Sequence, residues 1–251
     1  MNKIVEVALP DMDEEMGLIV PPEPGAAFNE VEDTIYRRRS IRYYKKKQVP
    51  EYLVRRIIEA GRFAPSAGNA QPWKFIVVQD ASVIDEMTAD IVEESKKIKK
   101  LLDYTQPGKS GRSGLVRWLQ KKMPNNMHPI PFGAVTLIAD GKLGAWHGAP
   151  TVILLAADMR APGRPPLDIG IAGQNIVLTA NSLGLGTCWM SFITLIAKKK
   201  KWLEKLNIQY PYELITSIAV GYSHGTPDGH VERETQAIDW LAEDGSFKVV
   251  Y

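Results

Sequence analysis

Residues 167–189 read LDIGIAGQNIVLTANSLGLGTCW, and the reading of this stretch decides the fold. Apolar and small residues recur at helical spacing, and Gly184 or Gly186 then caps the helix, as glycine does at a C-terminal end. Ala172, Gly173, Ala180 and Ser182 keep one side thin enough for a second helix or a planar ligand to approach closely. Such a helix belongs at the centre of the fold and suits a subunit interface. The glycines of GLGTCW do not form a dinucleotide phosphate loop. That fingerprint follows a strand and opens a helix, whereas here the glycines close one. TCWMSFI (187–193) then reads as an extended or turn segment.

Outward from this helix, TVILLAAD (151–158) is an unbroken apolar run, the pattern of a buried strand. KFIVVQD (74–80) reads as a shorter buried strand, and YELITSIAVG (212–221) as a third. PEYLVRRIIEAGRFAP (50–65) is a helix with Pro50 in its first turn and Glu51 at its positive end. Its buried face is Leu53, Val54, Ile57, Ile58 and Gly61. Helices are also expected near 28–39, over 82–103 and in AKKKKWLEKLNI (197–208), whose lysines form a solvated face. Residues 104–148 are the least regular part. LVRWLQKKM is expected as a short helix, PNNMHPIPFG as a loop and AVTLIAD as a strand, the whole serving as a lid insertion. Residues 1–30 form an acidic, proline-rich arm. The end of the chain carries a turn at Asp244-Gly245 and a short terminal strand. Helices and strands alternate without a clear break, which predicts a single domain over 1–251 with one mixed sheet wrapped by helices.

Composition excludes several chemistries. Cys188 is the one cysteine, so no intrachain disulfide or cysteine-held cluster can form, and its apolar neighbours suit a packed thiol. His128, His147, His224 and His230 show no paired metal spacing, and neither a Walker motif nor a G-x-S-x-G elbow occurs. No run reaches the roughly 18 apolar residues that span a bilayer. These features predict a soluble, cytoplasmic protein with no membrane partner. The formal net charge is +2, which argues against a nucleic-acid partner.

Against that near-balance, RRRSIRYYKKK (37–47) holds seven basic side chains in eleven positions. Its order relative to APSAGNAQPW (64–73), DIGIAGQN (168–175) with GLGTCW, and GYSHGTPDGHVER (221–233) resembles the FMN-dependent nitroreductase family over roughly 30–80 and 148–240. The resemblance implies an α+β fold with a mixed, mostly antiparallel sheet, an intertwined homodimer, and FMN at the subunit interface. It also implies NADH or NADPH as electron donor and a small-molecule electron acceptor: nitroaromatics, quinones or flavins. Dehalogenation, ene reduction and dehydrogenation on the same fold remain open, as does a non-catalytic flavin-binding module.

By the same resemblance, Arg38, Arg39 and Ser40 hold the FMN phosphate and ribityl chain, and Arg42 lies at the pyrimidine edge of the flavin ring. Pro65, Ser66 and Asn69 reach the flavin from the other subunit, while Trp73 packs. An amide of Ile169 or Gly170 donates to flavin N5, and Gly186 and Thr187 lie near the ring. Arg233 completes the phosphate site; the family's lysine two residues earlier is Val231 here, with His230 as a possible substitute. Outside the resemblance, Arg112, Arg117, Trp118 and His128 of the 81–147 segment are candidate substrate contacts, with solvated surface the preferred reading of each. Hydride transfer is the cofactor's chemistry, so no side chain is assigned as catalytic. Arg37 and Lys45–Lys47 are not required by this scheme and read as solvated surface.

Overall fold

Four strands, β1 (Trp73–Val78), β2 (Thr151–Asp158), β3 (Gly186–Met190) and β4 (Tyr212–Gly221), form an antiparallel sheet in the order β1-β2-β4-β3. The computed structural model describes residues 29–102, 118, 122, 129–225 and 238–250. The chain divides into two compact units, Arg38–Asp228, which contains this sheet, and Met1–Arg37 with Gly229–Tyr251.

The apolar run at 151–158 lacks polar alternation because β2 is central and covered on both faces. Val152, Leu154 and Ala156 point to one core, Ile153, Leu155 and Ala157 to the other. A register shift at Leu155/Ala156 leaves Ile215 as the extra residue of a bulge in β4. The second core is closed by α2 (Glu51–Arg62) and α5 (Pro165–Ser182), whose Ile57, Ile169, Ile176 and Val177 are fully buried or nearly so. The first is closed by α3 (Ala81–Leu102), α4 (Pro129–Ala139) and α6 (Lys200–Lys205). There Met87, Ile91, Ile138 and Trp202 meet Trp146, whose indole N–H donates to Ser217 Oγ at 3.1 Å. Ser217 in turn donates to the Met190 carbonyl, joining β3 and β4 through a buried polar chain.

Several sequence expectations need correction. KFIVVQD is not a buried strand: β1 pairs only with β2 and is mostly half-exposed, as an edge strand must be. AVTLIAD is helical, and the preceding loop is partly so, because α4 runs from Pro129 to Ala139. Proline suits the first turn of a helix, and Ile138 and Ala139 bury against the α3 side of the core. Ile58 is only half-buried, unlike its neighbours on α2. The lysines at 198–201 are not simply solvated. Lys199 pairs with Glu94 at 2.9 Å, and Lys201 with Glu86 at 2.8 Å and Asp90 at 3.2 Å, tying α6 to α3. The expectation of a mostly antiparallel sheet holds: every ladder among the described residues is antiparallel, and one isolated bridge, Ser40 to Thr187, is parallel.

In the other unit, α1 (Glu30–Arg37) is capped by Asn29, whose Oδ1 accepts from the amides of Val31 and Glu32. Its Arg37 pairs with Asp33 one turn earlier. A hairpin of β5 (Ile238–Leu241) and β6 (Phe247–Val250) turns at the expected Asp244-Gly245, and β5 is the strand that was not expected.

Candidate functional site

The basic stretch is strapped to one end of the sheet by backbone bonds. The Ile41 amide donates to the Thr187 carbonyl at 2.9 Å and the Lys45 amide to the Tyr222 carbonyl at 2.8 Å. The His224 amide donates to the Tyr43 carbonyl at 2.9 Å. Ile41 is buried, while Ser40 and Arg42 on either side of it are exposed. Two glycines allow the close approach. A Cβ at Gly186 would meet Ile41 Cγ1 at 2.6 Å, and one at Gly221 would meet Tyr44 Cδ1 at 2.7 Å and Pro150 Cδ at 2.8 Å. Gly186 is therefore needed for packing beneath the strap. Arg38 and Arg39 are half-buried, and Arg39 Nη1 donates to the Arg38 carbonyl at 3.0 Å. Lys47 lies 4.7 Å above the Tyr222 ring, so this part of the cluster is anchored rather than idle.

Arg42 shares its surroundings with three residues that sequence reasoning did not connect to it. Burial pushes the Cys188 thiol up, and Arg42, a hydrogen bond with Ser40, and Arg38 partly offset this. Burial, then the field of Cys188, raises Tyr44, which Arg42 partly opposes; its hydroxyl donates to the Ile41 carbonyl at 2.7 Å. Burial, then Arg42, holds His147 below the usual histidine range. His147 has φ +52° and is followed by Gly148 at +71°, a left-handed turn just before β2. The His-Gly dipeptide was the available signal for that turn.

A second group sits elsewhere. Pro65 and Asn69 are exposed, Ser66 half-buried. Ser66 Oγ accepts from the Gln71 amide at 2.9 Å, and Asn69 adopts φ +54°. The loop packs on the chain just before α5, where a Cβ at Gly163 would lie 2.7 Å from Ala67 Cβ. On α5, the Ile169 side chain is buried, and Gly170 is exposed with nothing within 4 Å of a built Cβ. Their amides fall past the first turn, where helical N–H groups bond to carbonyls four residues back. Beside them Asp168 is 5% exposed, and its Oδ2 has no hydrogen-bond partner.

The two groups stand at opposite ends of α5. The loop abuts the residues before its N-terminus, while Thr187 follows its C-terminus, where the Leu185 amide bonds to the Ala180 carbonyl. Eighteen residues separate those ends, about 27 Å at the helical rise. Trp73 packs against the core as expected, and Cys188 is a buried thiol. Trp118 is exposed; Arg112, Arg117, His128, His230, Val231 and Arg233 lie outside the described residues. No cluster of metal ligands occurs among the described residues.

An antiparallel sheet between helices, edged by a basic strap, is an α+β architecture with known counterparts. The model of the nitroreductase family matches residues 35–222. A putative NADH dehydrogenase/NAD(P)H nitroreductase of Archaeoglobus fulgidus is 28% identical over 194 residues, 77% of this chain and 86% of that protein. Iodotyrosine deiodinase 1 of Sus scrofa is 35% identical over a shorter 69 residues, 28% of this chain and 24% of that protein. A crystal structure of a nitroreductase with bound FMN from Desulfitobacterium hafniense superposes with a TM-score of 0.59 at 23% identity, covering 82% of this chain and 95% of that one. The chain belongs to the nitroreductase family.

Proposed function

We propose that the protein is a homodimeric, cytoplasmic, FMN-dependent NAD(P)H oxidoreductase that reduces small electron-poor acceptors such as nitroaromatics, quinones or flavins. The observation that carries this reading is the outward display of Ser40 and Arg42, continuous with Arg38 and Arg39, on a strap fixed to β3. The donor set fits a flavin mononucleotide. Guanidinium groups offer paired donors to a dianionic phosphate, and the Ser40 hydroxyl adds a neutral one. When bound, FMN would supply the hydride chemistry, passing electrons from NADH or NADPH to the acceptor.

The chain's own residues then bind and orient. Arg38, Arg39 and Ser40 hold the phosphate end, and Arg42 places a fixed cation at the ring. The neutral His147 beside Arg42 adds no second charge near pH 7. Pro65, Ser66 and Asn69 serve the site of a second copy, because in their own chain they lie a helix length away from the strap. The exposed backbone at Gly170 leaves room for a ligand at that end, and Gly186 and Thr187 back the strap.

The test is direct. Purified protein should be yellow or take up FMN, with absorbance near 450 nm that NADH or NADPH bleaches without oxygen. Colourless protein that takes up no FMN would sink the proposal. Bound flavin that neither donor reduces would favour a non-catalytic binding module. The match to a deiodinase supports a second reading, reductive dehalogenation or another flavin reaction on this fold. Turnover with nitroaromatic, quinone and halophenol acceptors separates the two.

A further inference from the structure

Two adjacent tyrosines follow Arg42, and they meet different surroundings. Tyr43 is 77% exposed, whereas Tyr44 is half-buried and packs against the first core. Its ring is seated on the end of β4, where a Cβ at Gly221 would lie 2.7 Å from Tyr44 Cδ1. A backbone bridge to Ser223 and the bond from the Lys45 amide to the Tyr222 carbonyl hold the main chain on either side of it. A rigid ring fixed in this way also fixes the place of its hydroxyl.

That hydroxyl has one hydrogen and two carbonyls within reach. The Ile41 carbonyl lies at 2.7 Å and the Ala219 carbonyl of β4 at 3.5 Å, so Ile41 supplies the stronger acceptor. Burial, then the field of Cys188, raises Tyr44, so the phenol keeps its hydrogen near neutral pH. The Ile41 carbonyl belongs to the peptide unit whose nitrogen is that of Arg42. Such a unit is planar, so fixing its oxygen fixes the direction in which the chain enters Arg42. On the other side of the same residue, the Ile41 amide donates to the Thr187 carbonyl at 2.9 Å. Ile41 is thus held at its N–H by β3 and at its C=O by Tyr44. Packing in the core needs only the aromatic ring, which phenylalanine would supply equally; the hydroxyl is the part that packing leaves unexplained.

We propose that Tyr44 is a positioning residue: its hydroxyl, bonded to the Ile41 carbonyl, sets the backbone from which the Arg42 guanidinium reaches the flavin ring. The inference rests on the reading of Arg42 as the cation at the ring of bound FMN. A fixed cation there favours the anionic reduced flavin, so an Arg42 set loose by loss of the hydroxyl should favour it less.

Dye-coupled anaerobic titration of the FMN-loaded protein tests this in wild type, Tyr44→Phe, Arg42→Ala and the double variant. Tyr44→Met is a second hydroxyl-free variant should Tyr44→Phe not fold. Loss of one hydrogen bond predicts that Tyr44→Phe lowers the equilibrium constant for flavin reduction by about threefold to tenfold, tenfold being about 30 mV for a two-electron couple. In the Arg42→Ala background the same change should shift nothing further, because both residues act through one guanidinium. A potential that Arg42→Ala lowers and Tyr44→Phe leaves unmoved would overturn this inference alone. So would an equal shift from Tyr44→Phe with and without Arg42. Wild-type chain that takes up no FMN, or a potential that Arg42→Ala leaves unmoved, would overturn the reading of Arg42 beneath it.

Discussion

The indole of Trp189 lies against the backbone of α5 at Gly173, so closely that a Cβ built on that glycine would fall 2.1 Å from the ring's Cη2. Alanine at an exposed helical glycine gains up to about 1 kcal/mol. Here the rigid ring must move, and overpacking of this kind costs about 1–3 kcal/mol. Gly173→Ala should therefore lower stability, as read from the midpoint of urea unfolding. An unchanged or higher midpoint would show that β3 can shift away from α5 without loss.

Gly186 offers a different consequence. Its added Cβ would push on Ile41, whose neighbours Ser40 and Arg42 form the outward face of the strap. Gly186→Ala should weaken FMN binding by about tenfold, the scale of one lost charge-assisted hydrogen bond, measured by quenching of flavin fluorescence. Retained affinity would mean that the strap is not what holds the cofactor.

Within the basic cluster, Arg42 and Lys46 should behave differently. Arg42→Ala removes the cation whose field reaches Cys188, Tyr44 and His147. It should weaken FMN binding or lower the flavin's reduction potential, measured by dye-coupled titration. Lys46→Ala should do neither. The opposite pattern would reverse the assignment of this stretch.

Beside the ion pairs that join α3 and the α6 end, one half-buried carboxylate bonds to a buried indole. Asp90 Oδ2 accepts from the indole N–H of the buried Trp202 at 2.7 Å. Asp90→Ala strands that donor and should cost about 1–3 kcal/mol in urea unfolding. Glu86→Ala, which removes exposed pairs with Lys201 and Lys205, should cost less. If Glu86 proved the costlier loss, the exposed pairs rather than the indole bond would hold α6.

Acid sensitivity should come in two steps. Burial, then Arg42, lowers His147 from its usual 6.5. A depressed histidine means that the unfolded chain takes up the proton first, so its contribution is full above about pH 6.5 and is lost as pH falls below it. Hydrogen bonds from Lys201 and Lys205 lower Glu86, and those from Lys199 and Lys97 lower Glu94, from 4.5. Their stabilisation is present above about pH 4.5 and disappears as pH falls through the lowered values. Thermal midpoints between pH 7 and 5 should decline less in His147→Asn, since asparagine tolerates the left-handed backbone at 147. An identical decline would remove His147 as the cause.

Legibility in the sequence followed the number of buried faces and the distance over which a contact is made. The α2 helix shows its periodicity because one side of Leu53, Val54 and Ile57 is buried, and β2 shows its unbroken run because both faces are. The β1 run looks equally buried, since its status as an edge depends on what pairs with it and not on its residues. In α4, Val135, Thr136 and Ile138 have the composition of a strand, and only packing near α3 resolves the ambiguity. The basic strap was visible as charge. Its neighbours Cys188 and His147 were not, because they reach it from more than 100 residues away in sequence.

Burial of Ile41 also sets a rule for insertions and deletions. Ile41 inward with Ser40 and Arg42 outward is the one phase in which no cation is driven into the core. The bonds at Ile41 and Lys45 fasten that phase at both ends. Adding or removing one residue between them would break the spacing that lets both bonds form, so length between 41 and 45 should be far less variable than between Lys46 and Pro50. A library of single-residue insertions across 38–50, scored for yellow colonies, would show the strap as a short forbidden interval.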